Sequence, residues 1–175
     1  WEALARTSLT LIRPGEVRVV ATGEGVLAAV FSPYAKRYVC VDSSPKVVLA
    51  AAERLKKWPT VSVMKADMHE LPFGAAQFDL VLMMHALSYT KKPALVIEEA
   101  ARVLKPKGQL LLSCLMKHGH RSVVEPFGHE NLGFSQKELI RHAEKAGLTV
   151  KHCEVVSRER RAPHFEILML LAEKP

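Results

Sequence analysis

The chain has 175 residues, 49% of them hydrophobic and 25% charged, the composition of one globular domain with a sizeable core. No apolar run reaches the ~20 residues of a membrane-spanning helix, and residues 1–13 lack the cationic start and small-residue cleavage site of a secretory leader, so no membrane partner is expected. The net charge of +7 is scattered over Lys56-Lys57, Lys91-Lys92, Lys105, Lys107, Arg158, Arg160 and Arg161. That pattern suits helix ends and connections rather than a single nucleic-acid-binding face.

The chain opens on Trp1 rather than Met, so a preceding segment is expected, with residues 1–14 as a lead-in that includes a helix over Glu2–Ile12. Val17–Thr22, a β-branched run after Pro14-Gly15, reads as a buried strand, and Gly25–Phe31 as a small-residue helix. Tyr38–Asp42 is the second strand. Pro45–Lys57 is the second helix, with Ser43 or Ser44 as its cap and Pro45 at its first position. Val61–Lys65 follows as a third strand, and Phe78–Met83, almost wholly apolar, as a fourth at the buried centre of a parallel sheet. Lys92–Leu104 is an amphipathic helix ended by Pro106 and Gly108, and Gln109–Leu115 is the fifth strand. Residues 116–133 are rich in His, Gly and Pro. Ser135 with Glu138 forms a capping box at the start of a helix that stops at Gly147.

Leu148–Ser157 and His164–Ala172 both read as strands, and the about six residues between them are too few for a helical crossover, which makes the pair antiparallel. The expected fold is α/β: a doubly wound, mostly parallel, seven-stranded Rossmann-like sheet with an antiparallel last strand, in a single domain over residues 1–175. Three cysteines without CxxC spacing (Cys40, Cys114 and Cys153) point away from a disulfide framework and towards a reducing, cytoplasmic setting. Cys40 and Cys114 lie in apolar runs and read as core residues.

Ligands of open α/β sheets bind beyond the carboxyl ends of the strands. Thr22-Gly23-Glu24-Gly25 follows the first strand, where glycines permit close backbone approach. Asp42, with Ser43, follows the second, and a carboxylate there accepts both hydroxyls of a ribose. Asp67-Met68 follows the third, suited to an adenine amino group and ring face. For each aspartate a simple helix cap is the alternative.

The run KADMHELPFGAAQFDLVLMMHAL and the following EEAARVLKPKGQLLLS resemble the class I S-adenosylmethionine (SAM)-dependent methyltransferases, near the ubiquinone/menaquinone group. HENLGFSQKELIRHAEKAGL resembles the methyltransferase domains that some bacteria carry behind an ArsR-type repressor domain. The resemblance implies SAM as cofactor, with Gly23 and Gly25 as its loop, Asp42 on the ribose, Asp67 and Met68 on the adenine, and Met84 and His85 beside the methionine part and the acceptor. It also implies a small-molecule methyl acceptor. A homodimer, and DNA contact only through a segment before residue 1, are further expectations.

The first motif differs from the family pattern: Ala21 stands at the usual acidic position and the third glycine is missing, so the loop is about two residues short. Glu24 is a candidate substitute for the missing acid. A second reading is therefore a weakly catalytic domain that senses SAM, S-adenosylhomocysteine or a metal for an attached regulator. A third is nicotinamide binding, since Gly23-x-Gly25-x-x-Ala28 also fits the dinucleotide fingerprint.

The histidine-rich loop holds His118, His120, Arg121, Glu125, His129 and Glu130. Its readings are a solvated loop, an acceptor-binding cover, or a divalent-metal site; no metal site is assigned. His85, His118 and His120 are the candidate catalytic bases, and Tyr89, Arg121 and His129 the candidate acceptor contacts. Neither a Ser-His-Asp triad, a P-loop, a HExxH helix nor the Asn/Asp-Pro-Pro-aromatic turn of base methylation is present in the sequence.

Overall fold

A computed structural model describes residues 17–22, 27–32 and 35–175. The proposed helix over residues 2–12 and the loop residues Gly23, Glu24 and Gly25 lie outside that set. Seven strands form one sheet: β1 (Val17–Thr22), β2 (Ala35–Asp42), β3 (Val61–Lys65), β4 (Phe78–Met84), β5 (Leu104–Leu115), β6 (Thr149–Arg158) and β7 (Glu166–Glu173), in the order β3-β2-β1-β4-β5-β7-β6. The pairs from β3 through to β5 are parallel. β7 runs antiparallel to both β5 and β6, so the architecture is the mostly parallel α/β sheet expected.

Alternation along the central strands sorts the core onto two faces. Val39 and Val41 of β2, Val81 and Met83 of β4, and Leu110 and Leu112 of β5 join one cluster, and Tyr38, Cys40, Leu80, Leu82 and Leu111 the other, as the two-residue period of a strand requires. Helices α3 (Pro93–Val103) and α5 (Gln136–Lys145) close the first face through Val96, Ile97, Ala100, Leu139 and Ala143. Helices α1 (Ala28–Phe31) and α2 (Pro45–Leu55) close the second through Ala28, Phe31, Ala51 and Leu55. Cys40 and Cys114 are buried free thiols. Burial pushes each up to about 12, so they act as core hydrophobes rather than nucleophiles.

Several boundaries differ from the sequence reading for identifiable reasons. β2 begins at Ala35, three residues early, because Ala35 and Arg37 pair with β1 despite the polar Lys36 and Arg37. α3 passes directly into β5 at Leu104 rather than ending in a turn at Pro106–Gly108; Leu104 pairs with Phe78, and an irregularity between Phe78 and Leu80 absorbs the extra residues that include Pro106. α2 ends at Leu55. Ser44 is its N-cap residue, but its side chain makes no cap bond; instead the Asp42 Oδ1 accepts the Ser44 N–H at 2.8 Å. The box at α5 forms as read: Ser135 and Glu138 satisfy each other's backbone N–H groups, and the helix stops at Gly147, which has φ +81°.

The chain lays β1, β2 and β3 outward on one side and then returns to place β4 and β5 on the other. The order reverses between β1 and β4. Their carboxyl ends therefore border the crevice where open sheets of this kind bind ligands.

Candidate functional site

Asp42 ends β2 and Asp67 follows β3. Each carboxylate is turned into a local turn by one oxygen only. Asp42 Oδ1 takes the Ser44 N–H, and Asp67 Oδ1 takes the His69 N–H at 2.8 Å and the His69 ring at 2.6 Å. In each case Oδ2 has no hydrogen-bond partner among the described residues. The hydrogen bonds from His69 hold the Asp67 carboxyl below its ordinary value, so it is an anion at neutral pH. Asp67 thus caps no helix; its side chain remains 63% exposed and able to accept from a ligand. Met68 is half-buried against the core. Thr22 closes β1 and pairs with Met83 and Val41; Ser43 is exposed beside Asp42.

His69 connects the two sides of the crevice. Its Nδ1 donates to Asp67, since a carboxylate only accepts. In the neutral ring its Nε2, 2.6 Å from the Thr90 Oγ1, accepts the threonine proton, while Thr90 Oγ1 accepts the Lys92 N–H at 2.8 Å. Each group in this Asp67–His69–Thr90 chain has a partner. Neither His69 nor Thr90 is among the site residues expected from the sequence; the Asp-x-His spacing predicts the local turn, but the contact across 21 residues is tertiary.

Met84 ends β4 beside Ser113, whose Oγ lies 3.8 Å from its sulfur. His85 follows with φ 58°, a left-handed backbone that non-glycine residues rarely adopt and that concentrates at functional sites. Its N–H donates to Ser113 O at 2.8 Å, and a single turn of 3-10 helix, Ala86–Tyr89, runs on from it. Tyr89 is exposed, with its ring edge-on to His129 at 5.2 Å between centroids.

The loop over residues 116–133 has structure of its own: α4 (Arg121–Val124) and a 3-10 turn at Glu125–Phe127. Asn131 fastens it to the turn after β4. Its Nδ2 donates to Leu87 O at 2.6 Å and Thr90 O at 3.0 Å, and its Oδ1 accepts the Gly133 N–H at 3.1 Å. The Glu130 N–H donates to Ser88 O at 2.8 Å. The fold thereby gathers His85, Tyr89, His118 and His129. His120 stacks near His118, at 5.9 Å between centroids. Arg121 is exposed at the start of α4. Among the described residues, no three His, Cys, Asp or Glu side chains are grouped to hold a metal ion.

Burial lowers the basicity of His85, His118 and His129, and the proximity of His129 lowers His85 and His118 further. These imidazoles stay neutral in the folded protein at pH values where free histidine takes up a proton. Unfolded chains protonate near pH 6.5, so acidification favours unfolding, and stability falls as the pH drops below that value. The melting temperature is expected to decline between pH 7.5 and 5.5 in scanning calorimetry, and His85→Gln to reduce the decline. An acid-insensitive melting temperature would place these rings in contact with water.

Residues 19–112, more than half of the chain, match the family model described as a methyltransferase domain. The chain belongs to this methyltransferase family. A demethylmenaquinone methyltransferase of Tropheryma whipplei is 29% identical over 127 residues, covering 73% of this chain and 52% of the relative. A Mycobacterium tuberculosis protein named a probable S-adenosylmethionine-dependent methyltransferase is 31% identical over 116 residues, covering 64% and 41%. This methyltransferase domain spans about half or less of the length of the curated relatives it matches. The N-methyltransferase NodS of Bradyrhizobium japonicum, solved with S-adenosylhomocysteine, superposes with a TM-score of 0.77 at 21% identity over 99% of this chain and 85% of that one. At that identity the likeness is one of fold.

Proposed function

We propose that this methyltransferase domain binds S-adenosylmethionine beyond the carboxyl ends of β1 to β4 and methylates a small-molecule acceptor. The observation that carries the reading is the pair Asp42 and Asp67 at the ends of adjacent strands, each with one carboxylate oxygen satisfied locally and the other left to accept from a ligand. That pair of acceptors fits an adenosyl group, which offers two ribose hydroxyls and an adenine amino group. Asp42 holds the ribose, Asp67 the amino group, and Met68 packs on the ring. Thr22, Ser43 and Met84 border the same crevice, with Gly23, Glu24 and Gly25 as its loop.

When bound, S-adenosylmethionine supplies a methyl on a sulfonium, so the protein's part is chiefly to bring an acceptor into line and keep water out. His85, neutral and strained at the end of β4, is the base that takes the acceptor's proton. A lowered pKa keeps its lone pair available at neutral pH at some cost in basicity. His118 and His120 are further candidate bases, and Tyr89, His129 and Arg121 acceptor contacts.

Calorimetric titration with S-adenosylmethionine and S-adenosylhomocysteine tests the reading. Asp42→Ala is expected to weaken binding of either by about 1–3 kcal/mol, the cost of stranding polar partners. Absence of binding to the unaltered chain at millimolar ligand would end the proposal. Binding without turnover on any acceptor would favour the sensing reading instead.

A further inference from the structure

Where β5 runs out at Leu115, the β6–β7 hairpin folds towards it. A half-open cleft of about 180 Å³ lies between them, its walls including Met116, His118, His120, Arg158, His164 and Phe165. The Phe165 ring is 4.6 Å from that of His118 and 5.8 Å from that of His120, centroid to centroid. A dry cavity of roughly 150 Å³ holds a benzene ring, so the space suits a ring-sized molecule.

The hydrogen bonding of His118 shows what that molecule lacks from the protein. Its Nδ1 accepts the His120 backbone N–H at 3.1 Å. In the neutral ring that burial favours, the proton therefore sits on Nε2. This Nε2–H is shielded from solvent and has no acceptor among the described residues, a condition that buried donors rarely tolerate.

The charges around it point the same way. Lys117 is tied to Glu138 at 2.9 Å. Arg158 is exposed at the end of β6 and has no ion-pair partner among the described residues. Glu166, opposite it in the β6–β7 register, is the one acid on the cleft wall and makes no ion pair with it. The hairpin adds Arg160 and Arg161 against Glu159. Donors outnumber acceptors. His129 lowers the basicity of both His118 and His85, so the cleft wall and the proposed base share an electrostatic neighbour.

We infer that this cleft binds a ring-sized methyl acceptor through a carboxylate, with Arg158 pairing the carboxylate, His118 Nε2–H donating to it, and Phe165 lying against the ring. A guanidinium fork matches a carboxylate in two parallel hydrogen bonds. The assignment of the ligand as acceptor rests on the methyl-transfer reading; the carboxylate site itself does not.

Benzoate and its neutral counterpart benzamide are the probes. Each is titrated into the full chain while the His118 and His120 ring signals are followed by nuclear magnetic resonance, and S-adenosylhomocysteine is titrated calorimetrically in parallel. Benzoate is expected to shift both rings and to bind about tenfold tighter than benzamide, a preference that Arg158→Gln removes. Unchanged S-adenosylhomocysteine binding in the variant shows that it is folded. Equal binding of the two probes, or a benzoate affinity indifferent to Arg158→Gln, overturns the inference. Selective benzoate binding in a chain that binds neither adenosyl compound would leave the carboxylate site standing and remove the methyl-transfer reading. Adenosyl binding without benzoate binding would do the reverse.

Discussion

Gly133→Ala is expected to lose about 3 kcal/mol of stability, summed from a left-handed backbone for alanine at about 1–2 and overpacking at roughly 1–3. Gly133 has φ +78°, and a Cβ there would stand 2.5 Å from the Leu115 carbonyl oxygen and 2.6 Å from that of Met116. Those atoms belong to the end of β5 and the residue after it, and cannot withdraw without pulling on the β5–β7 ladder. The close approach is what lets the Phe134 N–H reach Leu115 O at 3.0 Å, the Lys117 N–H reach Phe134 O at 3.0 Å, and the His118 N–H reach Leu132 O at 2.9 Å. These bonds are expected to break together, and the histidine loop to lose its seat. Gly147→Ala is the control: it shares the left-handed backbone at φ +81° with nothing within 4 Å of the added Cβ, and should cost only about 1 kcal/mol. Urea denaturation of the two variants decides the matter. Equal losses would show that steric contact with β5 contributes nothing.

Asn131→Ala is expected to cost about 2–3 kcal/mol. It removes three part-buried hydrogen bonds and leaves the Leu87 and Thr90 carbonyls and the Gly133 N–H without those partners, each stranding a fraction of the ordinary 1–3 kcal/mol penalty. Asn131→Asp discriminates between loss of volume and loss of donors. It keeps an acceptor for the Gly133 N–H but sets a negative charge against two carbonyl oxygens, so it should be at least as destabilising as alanine. Amide exchange at Glu130 and Gly133 reads the local consequence: both are expected to exchange faster in either variant. An Asn131→Asp protein as stable as the parent would mean that the two carbonyl bonds do not hold the loop.

Asn131 and Gly133 lie within the run HENLGFSQKEL, legible as a loop leading into a capping box, but their effects depend on partners 41 and 44 residues away in sequence or on the backbone at the end of β5. His69 and Thr90 are of the same kind. By contrast, Asp42 stands at a strand end that hydropathy marks, the first polar residue after the buried run Tyr38–Val41, whereas Asp67 follows the half-exposed edge strand β3, which already holds Ser62 and Lys65.

The order of strands and helices, the two core faces and the antiparallel closing pair were therefore determined by the sequence itself, through local periodicity and through a connection between β6 and β7 too short for a crossover. The capping box at Ser135 and Glu138 was equally local. Only the tertiary structure decided which boundaries yielded to pairing, as at Ala35 and Leu104, and that Asp42 rather than a serine side chain accepts the N–H at the start of α2. It also decided that the histidines of three separate segments share one neighbourhood. The physical reason is that hydrogen bonds and burial between distant segments leave no periodic trace in the chain. His118 becomes a neutral donor without an acceptor among the described residues only when His120, Phe165 and the β6–β7 hairpin are folded around it.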